Sequence, residues 1–181
     1  WVKEVHGGAV DNDVKELLFL LEANFEGDVT IKTINIIKKN NQSFQFKVSE
    51  EKSTESSYSL PKNYLYEPNS TIMKAGGFNI ISKIHNIDKL HKHSHLYTSN
   101  DKIVFPGRRF KVDKVFPYSK KIMIKHFSKT KANITTRNFP ETVAQIRTKH
   151  KISDGGDLYL FFTTNLYNDK IVVVANQLKN K

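Results

Sequence analysis

Cysteine is absent from this 181-residue chain, which excludes a disulfide framework and any thiolate metal site. Long apolar runs are missing too, and none approaches the ~20 residues that a membrane-spanning helix needs. The opening Trp1-Val-Lys-Glu-Val-His-Gly-Gly8 has no apolar core of signal-peptide length. Prolines number 5 and glycines 8, low-complexity stretches are scarce, and no internal repeat is found. These absences point to a cytoplasmic protein with no membrane partner. The chain starts at Trp1 and enters strand-like residues at once (Val2, Val5, Val10), so it reads as a piece of a longer polypeptide. Apolar residues make up 38% and charged residues 26%, which is ordinary for globular proteins. The length suffices for one large domain or two small ones.

Acidic residues are scarce in one region, and that scarcity is informative. The chain carries a net charge of +11. Residues 105–151 hold 13 Lys/Arg against only Asp113 and Glu141, which accounts for the whole excess. The rest of the chain balances. A concentrated positive region of this kind suits a polyanion.

Hydrophobic periodicity divides the chain into three segments. In the first, Val14, Leu17, Leu18 and Leu21 recur at helical spacing, so a helix over 12–24 is expected, capped by Asp11 or Asn12. Strands are expected over 29–37 and around Phe44, Phe46 and Val48, and the polar run Ser49–Ser57 reads as a loop. In the second, Asn69 or Ser70 starts a helix containing Ile72, Met73, Ile80, Ile81 and Ile84, with Gly76-Gly77 inside it. A turn at His91–His95 and a short strand at Leu96–Thr98 follow. The third segment has βαβαββ order: strand 108–116, helix 118–128, strand 132–137, helix 140–151, then strands 157–164 and 170–177 joined by a hairpin loop. Phe110, Val112 and Lys114 share one strand face, and Ile122, Ile124 and Phe127 lie near one side of the helix. Asn138 and Glu141 have capping-box spacing ahead of the second helix, whose apolar face is Val143, Ala144 and Ile146.

No complete catalytic constellation stands out. The cluster His91-Lys-His-Ser-His95 invites a metal reading, but no carboxylate or cysteine lies near it in sequence, and a solvated turn explains it better. Asp154-Gly-Gly-Asp157 matches no phosphate-binding fingerprint and reads as a helix stop. Glu67 is the most conspicuous acid, and a bond to the backbone at the entrance of the next helix accounts for it. Tyr159, Phe161 and Phe162 read as core. The basic residues do better: Arg108, Arg109, Lys111, Lys120, Lys121, Lys125, Arg137, Arg147 and Lys149 are candidate phosphate contacts, with Tyr118 a stacking candidate.

Four strings then stand together: Asp13-Val-Lys-Glu-Leu-Leu-Phe19, Tyr64-Leu-Tyr-Glu-Pro-Asn69 with Lys74-Ala-Gly76, Phe105-Pro-Gly-Arg108, and Thr136-Arg-Asn-Phe-Pro-Glu141 with Asp154-Gly-Gly-Asp-Leu-Tyr-Leu-Phe161. The set resembles the C-terminal region of a bacterial family of class I S-adenosylmethionine-dependent methyltransferases that ends in a THUMP-like domain. The resemblance implies an α/β (α+β) fold in three parts. Residues 1–58 are then the last strands of a Rossmann-like methyltransferase sheet, 59–104 a small ferredoxin-like segment, and 105–181 a THUMP-like RNA-binding domain. It further implies that S-adenosylmethionine serves the parent protein through an upstream methyltransferase domain of the same chain. This fragment then has no cofactor-binding, catalytic or metal-binding residue of its own and is inactive alone. The partner it implies is structured RNA, transfer or ribosomal. Two other readings compete: a protein-interaction scaffold with a basic face, and a metal-dependent hydrolase built on His91, His93 and His95.

Overall fold

The computed structural model describes residues 1–38 and 40–178. The architecture is mixed α and β, with strands dominating, and the chain divides into two compact units. No helix among the described residues is long and apolar enough to cross a membrane.

The first unit comprises residues 1–56, 68–86 and 104–107. Strand β1 (Val2–Val10) pairs antiparallel with β2 (Asp13–Leu21) and parallel with β3 (Thr30–Ile36). Strand β4 (Gln42–Lys47) closes the order β2-β1-β3-β4. The expected helix over 12–24 is therefore a strand. Asp11 and Asn12 both take positive φ (48° and 66°), the geometry of a two-residue hairpin turn, and this reverses the chain directly into β2. Because residues 17–21 are apolar without interruption, they satisfy helical and extended spacing alike, and the turn decides between them.

The Ser49–Ser57 run is not all loop, since α1 (Val48–Ser53) forms there. The expected helix from Ser70 onward breaks into α2 (Ser70–Ala75) and α3 (Ile80–His85). Asn69 caps α2 by accepting the Ile72 N–H, and Gly76 ends it at φ +80°, a left-handed conformation that favours glycine. Gly77 is needed for a different reason: a β-carbon there would stand 2.8 Å from the Phe46 ring.

The second unit comprises residues 57–67, 87–103 and 108 onward. Its seven-stranded sheet joins β5 (Tyr64–Pro68), β6 (Asp88–Lys89), β7 (Tyr97–Ser99), β8 (Gly107–Pro117), β9 (Asn133–Arg137), β10 (Leu158–Thr164) and β11 (Lys170–Gln177) in the order β6-β7-β5-β8-β11-β10-β9. The expected βαβαββ order holds as β8, α4 (Lys120–Phe127), β9, α5 (Val143–His150), β10 and β11. Helices α4 and α5 cover one face of the sheet, burying Met123, Phe127 and Ile146 against Leu160, Phe162 and Val172. The other face buries Leu65, Phe110, Phe161 and Val173, with Leu90 and Leu96 laid over it. Each of these large side chains contributes about 1.5–3 kcal/mol by leaving water.

A register shift in β8 sits between its pairs Val112↔Ala175 and Lys114↔Val174. The extra residue flips the alternation. Phe110 and Val112 therefore face one core while Phe116 faces the other, and Lys114 leaves the face it was expected to share with Phe110 and Val112.

Candidate nucleic-acid interface

Ser119 caps α4 by accepting the Ile122 N–H. Met123 and Phe127 turn to the core, while Ile124, expected on that side, is exposed. This rotation sends Lys120, Lys121 and Lys125 into solvent, and none forms an ion pair among the described residues. Lys120 and Lys121 occupy the first helical turn, where no acid is present. Cations there oppose the helix dipole, so the arrangement costs stability and favours an external anion.

Helix α5 is capped one turn later than expected, by the Thr142–Gln145 box. Asn138 instead takes a left-handed conformation, and Ala144 faces solvent. Glu141 is thereby released from capping. It accepts the Tyr118 hydroxyl at 2.6 Å and the Lys149 ammonium at 3.0 Å. Burial and the Glu141 carboxylate push the Tyr118 phenol up. Burial also acts to raise Glu141, but the Tyr118 hydroxyl and the Lys149 ammonium outweigh it and hold the acid below the usual carboxylate range. Tyr118 packs edge-on against Phe139, His150 and Phe162, so its ring is already engaged and is not an open stacking platform. Arg147 pairs with Asp154 and donates to the Ala132 and Ile152 carbonyls, tying the end of α5 to its neighbours.

On β8 the alternation places Arg109 and Lys111 opposite Phe110. Lys111 lies over the Tyr64 ring at 4.5 Å, and Arg109 reaches the Ile103 carbonyl at 3.5 Å. Arg108 and Arg137 belong to the other face, where both meet Glu67. Arg108 Nε donates to Glu67 Oε2 at 2.7 Å, and its Nη2 donates to the same oxygen. Arg137 donates to Oε1 from Nε at 3.1 Å and from Nη2 at 2.8 Å. Glu67 thus bonds two arginines, in place of the helix entrance that the sequence implied.

This contact also describes the sheet. Strands β5 and β9 are separated by three others, so a flat sheet would hold them about 19 Å apart. Direct contact between Glu67 and Arg137 requires the sheet to curl, with this face concave. The Glu67 side chain is only 4% exposed, against 39% for Arg108 and 36% for Arg137.

Beside this group, Lys89 is buried and donates to the Lys92 carbonyl at 3.2 Å. His95 is lowered to about 4, by burial first and then by the charges of Lys89, Arg137 and His93. The unfolded chain therefore takes up this proton first as pH falls. Stability present above about pH 6.5 is lost progressively towards pH 4. His85 and His150, both lowered chiefly by burial, act in the same direction. The melting temperature is expected to fall across this window, and His95→Gln to flatten the dependence. An unchanged slope in that variant contradicts the assignment.

The histidine cluster is not arranged as a metal centre. His91 Nδ1 accepts from the His93 N–H at 3.1 Å and from Asn138 Nδ2 at 2.9 Å, so Nε2 carries the proton towards Asn168 Oδ1. Both ring nitrogens of His91 are thus engaged within the chain. Among the described residues no three of His, Asp and Glu are placed to share a metal ion.

Residues 64–106 match the ferredoxin-like domain family. Residues 107–177 match the THUMP domain-like family. Neither match alone reaches half of the chain. A crystal structure of a candidate methyltransferase from Porphyromonas gingivalis W83 is similar at 32% sequence identity, with a TM-score of 0.91. That match covers 98% of this chain and 46% of the other, so the chain spans less than half of that structure. No curated protein matches. Glu67 belongs to the ferredoxin-like match, while Arg108 and Arg137 belong to the THUMP-like one. The same division falls between β5 and β8, which are neighbours in one sheet. Sequence reasoning missed this convergence, although three of the four strings that carried the resemblance each supplied one of its residues.

Proposed function

We propose that this chain is the RNA-substrate-binding part of an S-adenosylmethionine-dependent methyltransferase acting on structured RNA, transfer or ribosomal, in the cytoplasm. The observation that carries the reading is the exposed and uncompensated set Lys120, Lys121 and Lys125 on the THUMP-like domain. Arg109 and Lys111 extend the basic surface along β8, and Lys149 and Arg147 contribute from α5 while held by Glu141 and Asp154. Arg108 and Arg137 make their contacts from the opposite face of the sheet.

In this reading residues 1–58 continue a methyltransferase sheet whose remaining strands belong to an upstream domain, 59–104 form the ferredoxin-like segment and 105–181 the RNA-binding domain. The similarity to the Porphyromonas structure supports it, as does the second half of β2, where residues 17–21 are apolar on both faces and exposed. A strand of that composition suits the interior of a larger sheet. Neither of the usual glycine-rich phosphate-binding fingerprints occurs in the sequence, so no residue here is assigned to the cofactor.

Affinity for RNA is expected to fall steeply with salt, because each neutralised phosphate releases counterions. Replacing Lys120, Lys121 and Lys125 together with alanine is expected to make the slope of log affinity against log salt shallower by about 2–3. Fluorescence anisotropy across a salt series measures this. An unchanged slope contradicts the role of α4.

A further inference from the structure

We propose that Arg108 and Arg137, oriented by Glu67, form a clamp for a single phosphate group of the bound RNA. The proposal rests on the RNA-binding reading and assigns to the two arginines a task different from that of the α4 lysines.

The geometry carries it in three steps. Each guanidinium approaches Glu67 side-on through Nε and Nη2, one on each carboxylate oxygen. Nη1 of both has no partner among the described residues, although Arg108 Nη2 also reaches the Thr135 hydroxyl at 3.4 Å. The burial is asymmetric as well. The acid lies beneath at 4% exposure, while both cations remain more than a third exposed. Finally, the charges do not cancel, because one carboxylate faces two guanidiniums.

A buried anion that fixes two forked cations and leaves their outer donors to solvent prepares a site for a second anion. Two planar forks offer more N–H donors than one carboxylate needs, and they suit the several oxygens of a phosphate. The α4 lysines attract the backbone as point charges, while a fixed pair of forks selects the position of one phosphate along it. The sheet separates the clamp from α4, so each is expected to work without the other.

The test uses the 15N-labelled chain and follows its arginine Nε–H resonances during titration with inorganic phosphate at constant ionic strength. Chloride serves as the comparison. Saturable shifts of Arg108 and Arg137 with phosphate and not with chloride are the expected result. Arg137→Lys keeps the charge but removes the fork, and is expected to weaken phosphate binding about tenfold. Should that variant fail to fold, the wild-type titration alone decides. Absence of saturable shifts, or equal shifts with chloride, overturns the clamp. RNA binding is measured in parallel. A chain that binds RNA but shows no phosphate response loses the clamp and keeps the RNA-binding role. One that binds phosphate at these arginines but no RNA keeps the anion site and loses the RNA-binding role.

Discussion

Replacing Glu67 with alanine is expected to destabilise the second unit by about 2–3 kcal/mol, the cost of losing charge-assisted hydrogen bonds to two guanidiniums that stay partly in water. The carboxylate is nearly inaccessible and accepts from two guanidiniums, so its loss leaves two positive charges facing each other across the concave sheet. Glu67→Gln keeps the shape and one acceptor oxygen, and is expected to cost less than alanine. The reverse change is gentler. Arg108→Ala or Arg137→Ala leaves Glu67 with one guanidinium, so each single loss is expected to cost less than the loss of Glu67. A double-mutant cycle between the two arginines is expected to show non-additivity, because they share an acceptor. Denaturant unfolding monitored at the second unit checks all five variants, the double one included. Glu67→Ala as stable as the wild type contradicts the assignment.

Self-association is the second large effect expected. Along β2, Leu17, Leu18, Phe19, Leu20 and Leu21 are 48–63% exposed, and the strand lies at the edge of its sheet. An edge with free backbone donors and acceptors and apolar side chains on both faces is a template for pairing with a second copy. The isolated chain is therefore expected to associate at micromolar concentrations. Leu18→Lys with Leu20→Lys places two charges on one face of that edge and is expected to weaken association at least roughly tenfold. Because both leucines are already solvent-facing, the expected change in stability is within about 0.5 kcal/mol. Sedimentation velocity over a concentration series separates the outcomes. A wild-type chain that stays monomeric throughout contradicts the role of β2.

Local sequence signals were legible where they spoke with one voice. The βαβαββ order was readable because alternating strands, helical stretches and turn residues agree along residues 108–177. It was not readable at β2, where Val14, Leu17, Leu18 and Leu21 fit a helix and the intervening Phe19 and Leu20 fit a buried strand equally well. The break between α2 and α3 falls where Gly76 ends α2 in the left-handed conformation, which helical spacing of the apolar residues does not reveal. At the candidate site, composition located the surplus charge but not its distribution. The nine basic residues lie on both faces of the sheet, and four of them meet a carboxylate: Arg108 and Arg137 at Glu67, Arg147 at Asp154, and Lys149 at Glu141. Glu67 finds its partners 41 and 70 positions away, so only the curl of the sheet could reveal them.

The most direct test of RNA binding is photocrosslinking of the chain to a structured transfer RNA, with the crosslinked peptides mapped by mass spectrometry. Crosslinks concentrated in residues 108–137, with α4 prominent, are the expected result. Crosslinks confined to the β1–β4 sheet, or none above those of a neutral control protein, would contradict it.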